Sequence, residues 1–233
     1  MLHHTKKIRK IYEDIQMKIY YMIPEKWNQL YLYASVIDKA DGTQTGELYF
    51  YYIPKGILRK KPVNVYEIPN KFNLDENEYV QFVKIIYDEI KELRNEFRET
   101  GLDPLWSNLT MSIEEANFKV EYNYDDLLSS SFDNYERHII WRYKYLNIGP
   151  EQVNNKDKQI LSRYLAQIKS SKDTSKTDIY TDRIYITDVG NIVAYNTREK
   201  NEEIQQREEE QEEVKDKPKK KNQILFSEEE MKN

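Results

Sequence analysis

Cysteine is absent from the 233-residue chain, which excludes disulfides, thiol nucleophiles and zinc–thiolate sites together. The absence is compatible with a reducing cytoplasm. Glycine is scarce as well: its six residues, at 42, 46, 56, 101, 149 and 190, never cluster, and a phosphate-cradling loop needs several of them in close succession. His3 and His4 stand at the N-terminus, and His138 has no second His or Cys near it in sequence. No metal site is therefore expected, and His138 reads as a core or interface residue. No apolar run approaches the ~18–20 residues of a membrane span. The N-terminus, MLHHTKKIRKIYEDI, is basic but lacks a following apolar stretch, so it is not read as a secretory signal, and a cytoplasmic location is expected. Neither sign of charge dominates. The 36 Lys and Arg nearly offset the 41 Asp and Glu, for a formal charge of −5, unlike the strongly basic face of a dedicated nucleic-acid binder.

Tyrosine is abundant, with 20 residues supplying large amphipathic contact area. Ile8, Ile11, Ile15, Ile19 and Met22 recur at helical spacing over residues 5–23, and Pro24 ends the run. Residues 28–37 and 47–53 are two β-rich runs separated by Asp, Gly and Thr, which predicts an antiparallel hairpin. Both faces of both strands are apolar or tyrosine, so this hairpin is expected at a sheet centre covered on two sides, or on one side by a partner. PVNVYEIP, at 62–69, reads as an edge strand between prolines. The pattern over 75–99 predicts a helix with Tyr79, Phe82, Ile86, Ile90, Leu93 and Phe97 as its core stripe, capped by Asp75 and Glu78 and ended before Gly101.

Residues 108–113 and 118–125 alternate as a second hairpin with Phe118, Val120, Tyr122 and Tyr124 inward and one wet face. Over 132–147 a helix presents two stripes, one of Phe132, Tyr135, Ile139, Tyr143 and Leu146, the other of His138, Trp141 and Tyr145. A further helix is expected at 154–169. After a Ser/Lys/Thr/Asp linker, a last hairpin is expected at 179–195, turning at 188–191. From Arg198 onward the chain is acidic and then basic with almost nothing to bury, as an exposed helix or a disordered tail would be. The predicted class is α+β: an antiparallel sheet built from hairpins, packed by several helices, with a charged C-terminal extension.

Catalytic chemistry has little to stand on. Carboxylate pairs such as Glu114–Glu115, Asp125–Asp126 and Asp133–Glu136 are what chance adjacency among 41 acids produces. Ser129, Ser130 and Ser131 lie near His138 without the glycine elbow of a serine nucleophile. No enzyme activity and no cofactor are expected. The stretch from Phe118 to Leu146 instead combines eight aromatics with five acids, the composition of a protein-binding surface. Setting aside the inward aromatics leaves Trp106, Glu121, Asp125, Asp126, Asp133, Glu136, Trp141 and Tyr145 as candidate partner-binding residues.

LYLYASV, YFYYIP, IPNKFNLDE leading into a helix that ends ELRNEF, PLWSNLTMSI, FKVEYNYDDL and YERHIIWRYKYLNI together resemble the YezG/EsaG family of bacterial immunity proteins over roughly residues 8–165. The resemblance implies a small cytoplasmic α+β protein that neutralises a toxin. The usual target in that family is the C-terminal nuclease domain of an LXG- or EsaD-type toxin exported by a type VII secretion system. Two departures stand out. The turn before FKVEYNYDD is Glu114-Glu115-Ala116-Asn117, where the family usually places a glycine, and residues 166–233 extend beyond the family core.

The expected organisation is an immunity domain at 1–165, an extension with a hairpin at 166–197 and a charged tail at 198–233. The expected function is stoichiometric inhibition of a toxin nuclease domain, without direct contact to nucleic acid or membrane. Outright DNA mimicry is disfavoured, because residues 1–197 carry 29 acids and 27 bases, a net of only −2. Two alternatives stay open: a cytoplasmic chaperone or adaptor that holds a type VII substrate without inhibiting it, and a hydrolase built on Asp125–Asp126.

Overall fold

A strand with large side chains on both faces cannot leave either face in water, and the central strands of this chain are of that kind. The computed structural model describes residues 6–56, 61–101, 105–114, 117–173, 181–186 and 192–196; residues 171–173, 181–186 and 192–196 are described by backbone alone. Its elements, in chain order, are α1 (Lys6–Met22), β1 (Trp27–Ser35), β2 (Ile37–Asp38), β3 (Gln44–Thr45), β4 (Leu48–Pro54), β5 (Val63–Asn64), α2 (Ile68–Phe72), α3 (Glu76–Glu99), β6 (Asn108–Glu114), β7 (Asn117–Asn123), α4 (Asn134–Leu146), α5 (Asn155–Asp173), β8 (Thr181–Ile186) and β9 (Ile192–Asn196). The sheet runs β5-β4-β1-β6-β7-β8-β9, antiparallel at every step, beside a small β2–β3 ribbon. The α+β class expected from the sequence is the observed one. No described helix is long and apolar enough to cross a membrane.

One face of the sheet carries Leu30, Leu32, Phe50, Tyr52, Leu109, Met111, Val120 and Tyr122, all buried in the main core against α1 and α3. The isoleucine stripe of α1 lies in that core as expected. On α3, Asp75 Oδ1 accepts the Glu78 N–H at 2.8 Å and satisfies one of the helix's open donors. Its buried stripe is Tyr79, Val83, Ile86, Ile90, Leu93 and Phe97. Phe82, expected in that stripe, is 56% exposed. A helix turns by ~100° per residue, so either position 82 or 83 can share a face with Tyr79 and Ile86. The roll is set on the Val83 side, where Arg94 is also buried: its Nε donates to the Trp106 carbonyl at 2.8 Å and its Nη1 to Asp38 at 2.7 Å.

The opposite face carries Tyr31, Tyr33 and Tyr51, closed over by Trp141 and Leu146 of α4. The hairpin β6–β7 therefore has no wet face along its middle. Asn108, Thr110 and Glu121, expected in water, are buried, and the Trp141 Nε1–H donates to Thr110 Oγ1 at 3.1 Å. The expected stripes of α4 hold in part. His138, Trp141 and Tyr145 meet the sheet, and Ile139 packs with Ile160 and Leu161 of α5. Leu146, expected beside Ile139, joins the sheet side, and Ile140, in neither stripe, packs with Ile139.

Two local expectations change. Only Val63 and Asn64 of the 62–69 segment pair with β4. The Asn64 side chain then accepts the Tyr66 N–H at 3.1 Å, drawing the chain into a 3-10 turn, and Pro69 stands in the first turn of α2, where its missing N–H costs nothing. The helix expected at 154–169 continues without a break to Asp173. A hairpin does follow, as β8 and β9; its turn at 188–191 and the tail at 198–233 lie outside the described residues, as do Glu115 and Ala116.

Trp106 is fully buried, with its ring against Phe97 and Tyr122 at centroid distances of 6.3 and 5.4 Å. Its replacement by alanine is expected to lower unfolding free energy by about 3–5 kcal/mol. Urea denaturation checks this, and a loss below about 1 kcal/mol would contradict a core role.

Candidate functional site

The candidate site is a groove of about 390 Å³ where the ends of β6 and β7 meet α4, α5 and the 125–132 loop. Its floor is aromatic. Tyr33 and Trp141 are buried there with ring centroids 6.3 Å apart, and Trp141 lies 5.5 Å from Tyr145. Exposed Asp125 and Asp126 line the same groove, together with Arg137 and Lys144. The Arg137 charge is already engaged: its Nη2 donates to Glu47 at 2.8 Å and its Nη1 to the Phe132 carbonyl at 2.9 Å. The Ser129 hydroxyl, with the N–H groups of Ser129 and Leu128, holds the Asp126 carboxyl below the usual carboxylate range.

The eight sequence candidates fall in four different places. Asp125, Asp126, Trp141 and Tyr145 line the groove. Glu121 sits beneath it, buried, accepting the Tyr145 hydroxyl at 2.6 Å and pairing with Lys119. Asp133 and Glu136 close the α4 N-terminus as a reciprocal capping box, with donor–acceptor distances of 2.9 and 3.1 Å, and Glu136 also takes Arg163 at 2.6 Å. Trp106 belongs with none of these: it lies in the main core on the other face of the sheet. The expectation that Trp106, Trp141 and Glu121 stand free to anchor a partner is thus corrected by burial. Trp106 is wholly enclosed, and Trp141, 4% exposed, serves as a floor on which other groups sit. Sequence reasoning missed Tyr33. It reaches the groove because β1 and β6 pair Tyr33 with Thr110, and β6 and β7 pair Thr110 with Glu121.

His138 lies on the same side of the sheet, outside the groove. Its ring stacks on Tyr49 at 4.1 Å, and its Nε2 is hydrogen-bonded to the Tyr51 hydroxyl at 3.0 Å. Burial and then the Arg142 charge push its pKa down to about 4, against the opposing pull of Asp157. Among the described residues no group of three or more His, Cys, Asp or Glu is placed to hold a metal ion.

Aromatic floor, flanking acids and a two-sided sheet make a surface suited to gripping another protein. A family profile described as YezG-like immunity protein matches residues 8–160. The immunity protein YezG of Bacillus subtilis (strain 168) is 33% identical over 159 residues, which cover 68% of this chain and 99% of that relative. YezG of Bacillus spizizenii is 30% identical over 154 residues, 66% of this chain and 91% of the relative. The type VII secretion system protein EsaG of Staphylococcus aureus is 30% identical over 167 residues, 70% and 96% of the two chains. The chain belongs to the YezG-like family of immunity proteins.

Two outcomes follow for the side chains around the groove. Asp133→Ala is expected to lower stability by about 1 kcal/mol through loss of the cap, measured by chemical denaturation. For His138, the folded state binds a proton less readily than the unfolded chain, whose imidazole titrates near 6.5. Its contribution is complete above that value and is lost as pH falls toward about 4. Melting temperature is therefore expected to fall more steeply with acidification over this window in the native chain than in His138→Gln; equal slopes would contradict it.

Proposed function

We propose that this protein is an immunity protein that binds a cognate secreted toxin and neutralises it stoichiometrically, the toxin's active part being a nuclease domain. The observation that carries this is the match to immunity proteins along nearly their whole length, 91% to 99% of the three relatives. EsaG, described as a type VII secretion system protein, supports a toxin of the LXG or EsaD kind exported by that route, with neutralisation in the cytoplasm of the producing cell. Residues 1–165 would act as the immunity domain, 166–197 as an extension and 198–233 as a charged tail.

The groove is the part of this domain best suited to such a partner. Nuclease domains that hold DNA present basic side chains, and a Lys or Arg from one would meet Asp125 and Asp126 while its apolar stem rests on half-buried Tyr145. Complementary charge of this kind speeds encounter and selects the partner. Because the lining of the groove is acidic only locally, the toxin is recognised as a protein surface rather than by imitation of DNA.

A second reading draws on the same EsaG description: an adaptor that holds a secretion substrate without blocking it. Co-expression with the toxin nuclease domain separates the two, since an immunity protein abolishes DNA damage and an adaptor leaves it unchanged. Within the first reading, the Asp125→Lys, Asp126→Lys double variant is expected to weaken toxin binding about tenfold or more, with a loss of protection in cells. Unaltered affinity in titration calorimetry would move the docking site elsewhere.

A further inference from the structure

Among the described residues that line the groove, the two acids Asp125 and Asp126 are matched by two bases, Arg137 and Lys144. A basic partner would meet as much repulsion as attraction there unless one of the cations is cancelled from outside. Arg137 is cancelled in this way. Its Nη2 donates to Glu47 Oε1 at 2.8 Å, and the two side chains are only 15% and 13% exposed. Glu47 stands just before β4 and does not itself line the groove. Lys144 lies over the Tyr145 ring at 5.8 Å, so one uncompensated cation faces two acids.

The carboxylate that does this is fixed by the sheet rather than by the groove. The Glu47 N–H donates to Ser35 Oγ at 2.9 Å, its carbonyl accepts the Ser35 N–H at 3.0 Å, and its second carboxylate oxygen accepts the Tyr49 hydroxyl. Arg137 is held from the other side, donating to the Phe132 carbonyl at 2.9 Å and to Asn134 Oδ1 at 2.6 Å. The pair therefore cannot separate without breaking contacts on both elements. Its field reaches the groove floor, where partial exclusion of water strengthens charge effects. Burial, and next the Glu47 charge, push the Tyr33 hydroxyl up against a smaller opposing pull from Arg137. At the floor, the carboxylate outweighs the guanidinium.

We infer that Glu47 is a specificity-determining residue of the groove: acting through Arg137, it cancels that cation, leaves Asp125 and Asp126 in excess, and so selects a basic protein surface. This rests on the groove being the docking site for the toxin nuclease domain. Titration calorimetry of the full chain with that domain, over a range of salt concentrations, tests it. Glu47→Gln keeps a hydrogen-bond acceptor for Arg137 but removes the compensating charge. Affinity is expected to fall about threefold or more at low salt, with a flatter salt dependence than in the native chain. Arg137→Gln leaves Glu47 uncompensated, and its salt dependence is expected to be steeper. Glu47→Asp, which keeps the charge, is expected to keep the native slope. A merely structural pair would shift unfolding midpoints without moving these slopes, so native slopes in a folded Glu47→Gln or Arg137→Gln variant would overturn the assignment. The Asp125→Lys, Asp126→Lys variant tells the two failures apart. If it binds the domain as the native chain does, the groove is not the docking site; if it binds weakly while the slopes stay native, only the role of Glu47 falls.

Discussion

The constraint on which this structure depends is that its central strands carry bulky side chains on both faces. Leu30 and Leu32 point one way from β1; Tyr31 and Tyr33 point the other. A sheet of that kind needs two covers. The two are chemically unlike. On the α1–α3 side the filling is mostly aliphatic. On the α4 side tyrosines do much of it, and their hydroxyls are satisfied individually: Tyr31 donates to Glu114 at 2.8 Å, Tyr49 to Glu47, and Tyr51 bonds His138 at 3.0 Å. The burial of Glu121 and Thr110 follows from this second cover, since both are reached by side chains of α4, Tyr145 at 2.6 Å and Trp141 at 3.1 Å. The groove exists because α4 closes over the middle of the sheet and leaves its end open.

Much of the fold was legible because its signals are local. The isoleucines of α1, the alternation of Phe118, Val120 and Tyr122, and the Asp75 cap each depend on neighbours within a few residues. The roll of α3 toward Val83 was not, because Arg94 reaches Asp38 and Trp106 across sequence distances that periodicity does not span. The burial of Trp106 was not legible for a simpler reason: the residue precedes β6, where strand alternation does not yet apply. The site was half legible. Asp125, Asp126, Trp141 and Tyr145 come from one stretch of chain, but Tyr33 enters only through sheet register. One signal was present and unused. Asp133 and Glu136 stand at the same three-residue spacing that marked Asp75 and Glu78, which is the signature of a helix cap before it is that of a binding pair.

The continuity of α5 past residue 165 and the pairing of β8 with β7 extend the sheet beyond the stretch that the family profile matches. The family profile stops at residue 160, and five strands of the large sheet come before that point. The two that follow add at one side, in register with Phe118 to Asn123. Strands stand ~4.8 Å apart, so the outermost unpaired backbone on this side moves about 10 Å outward and becomes the property of β9. Growth at a sheet edge leaves the inherited core untouched. On the proposed reading it would give the family body a further boundary in this chain, one reached through backbone pairing alone.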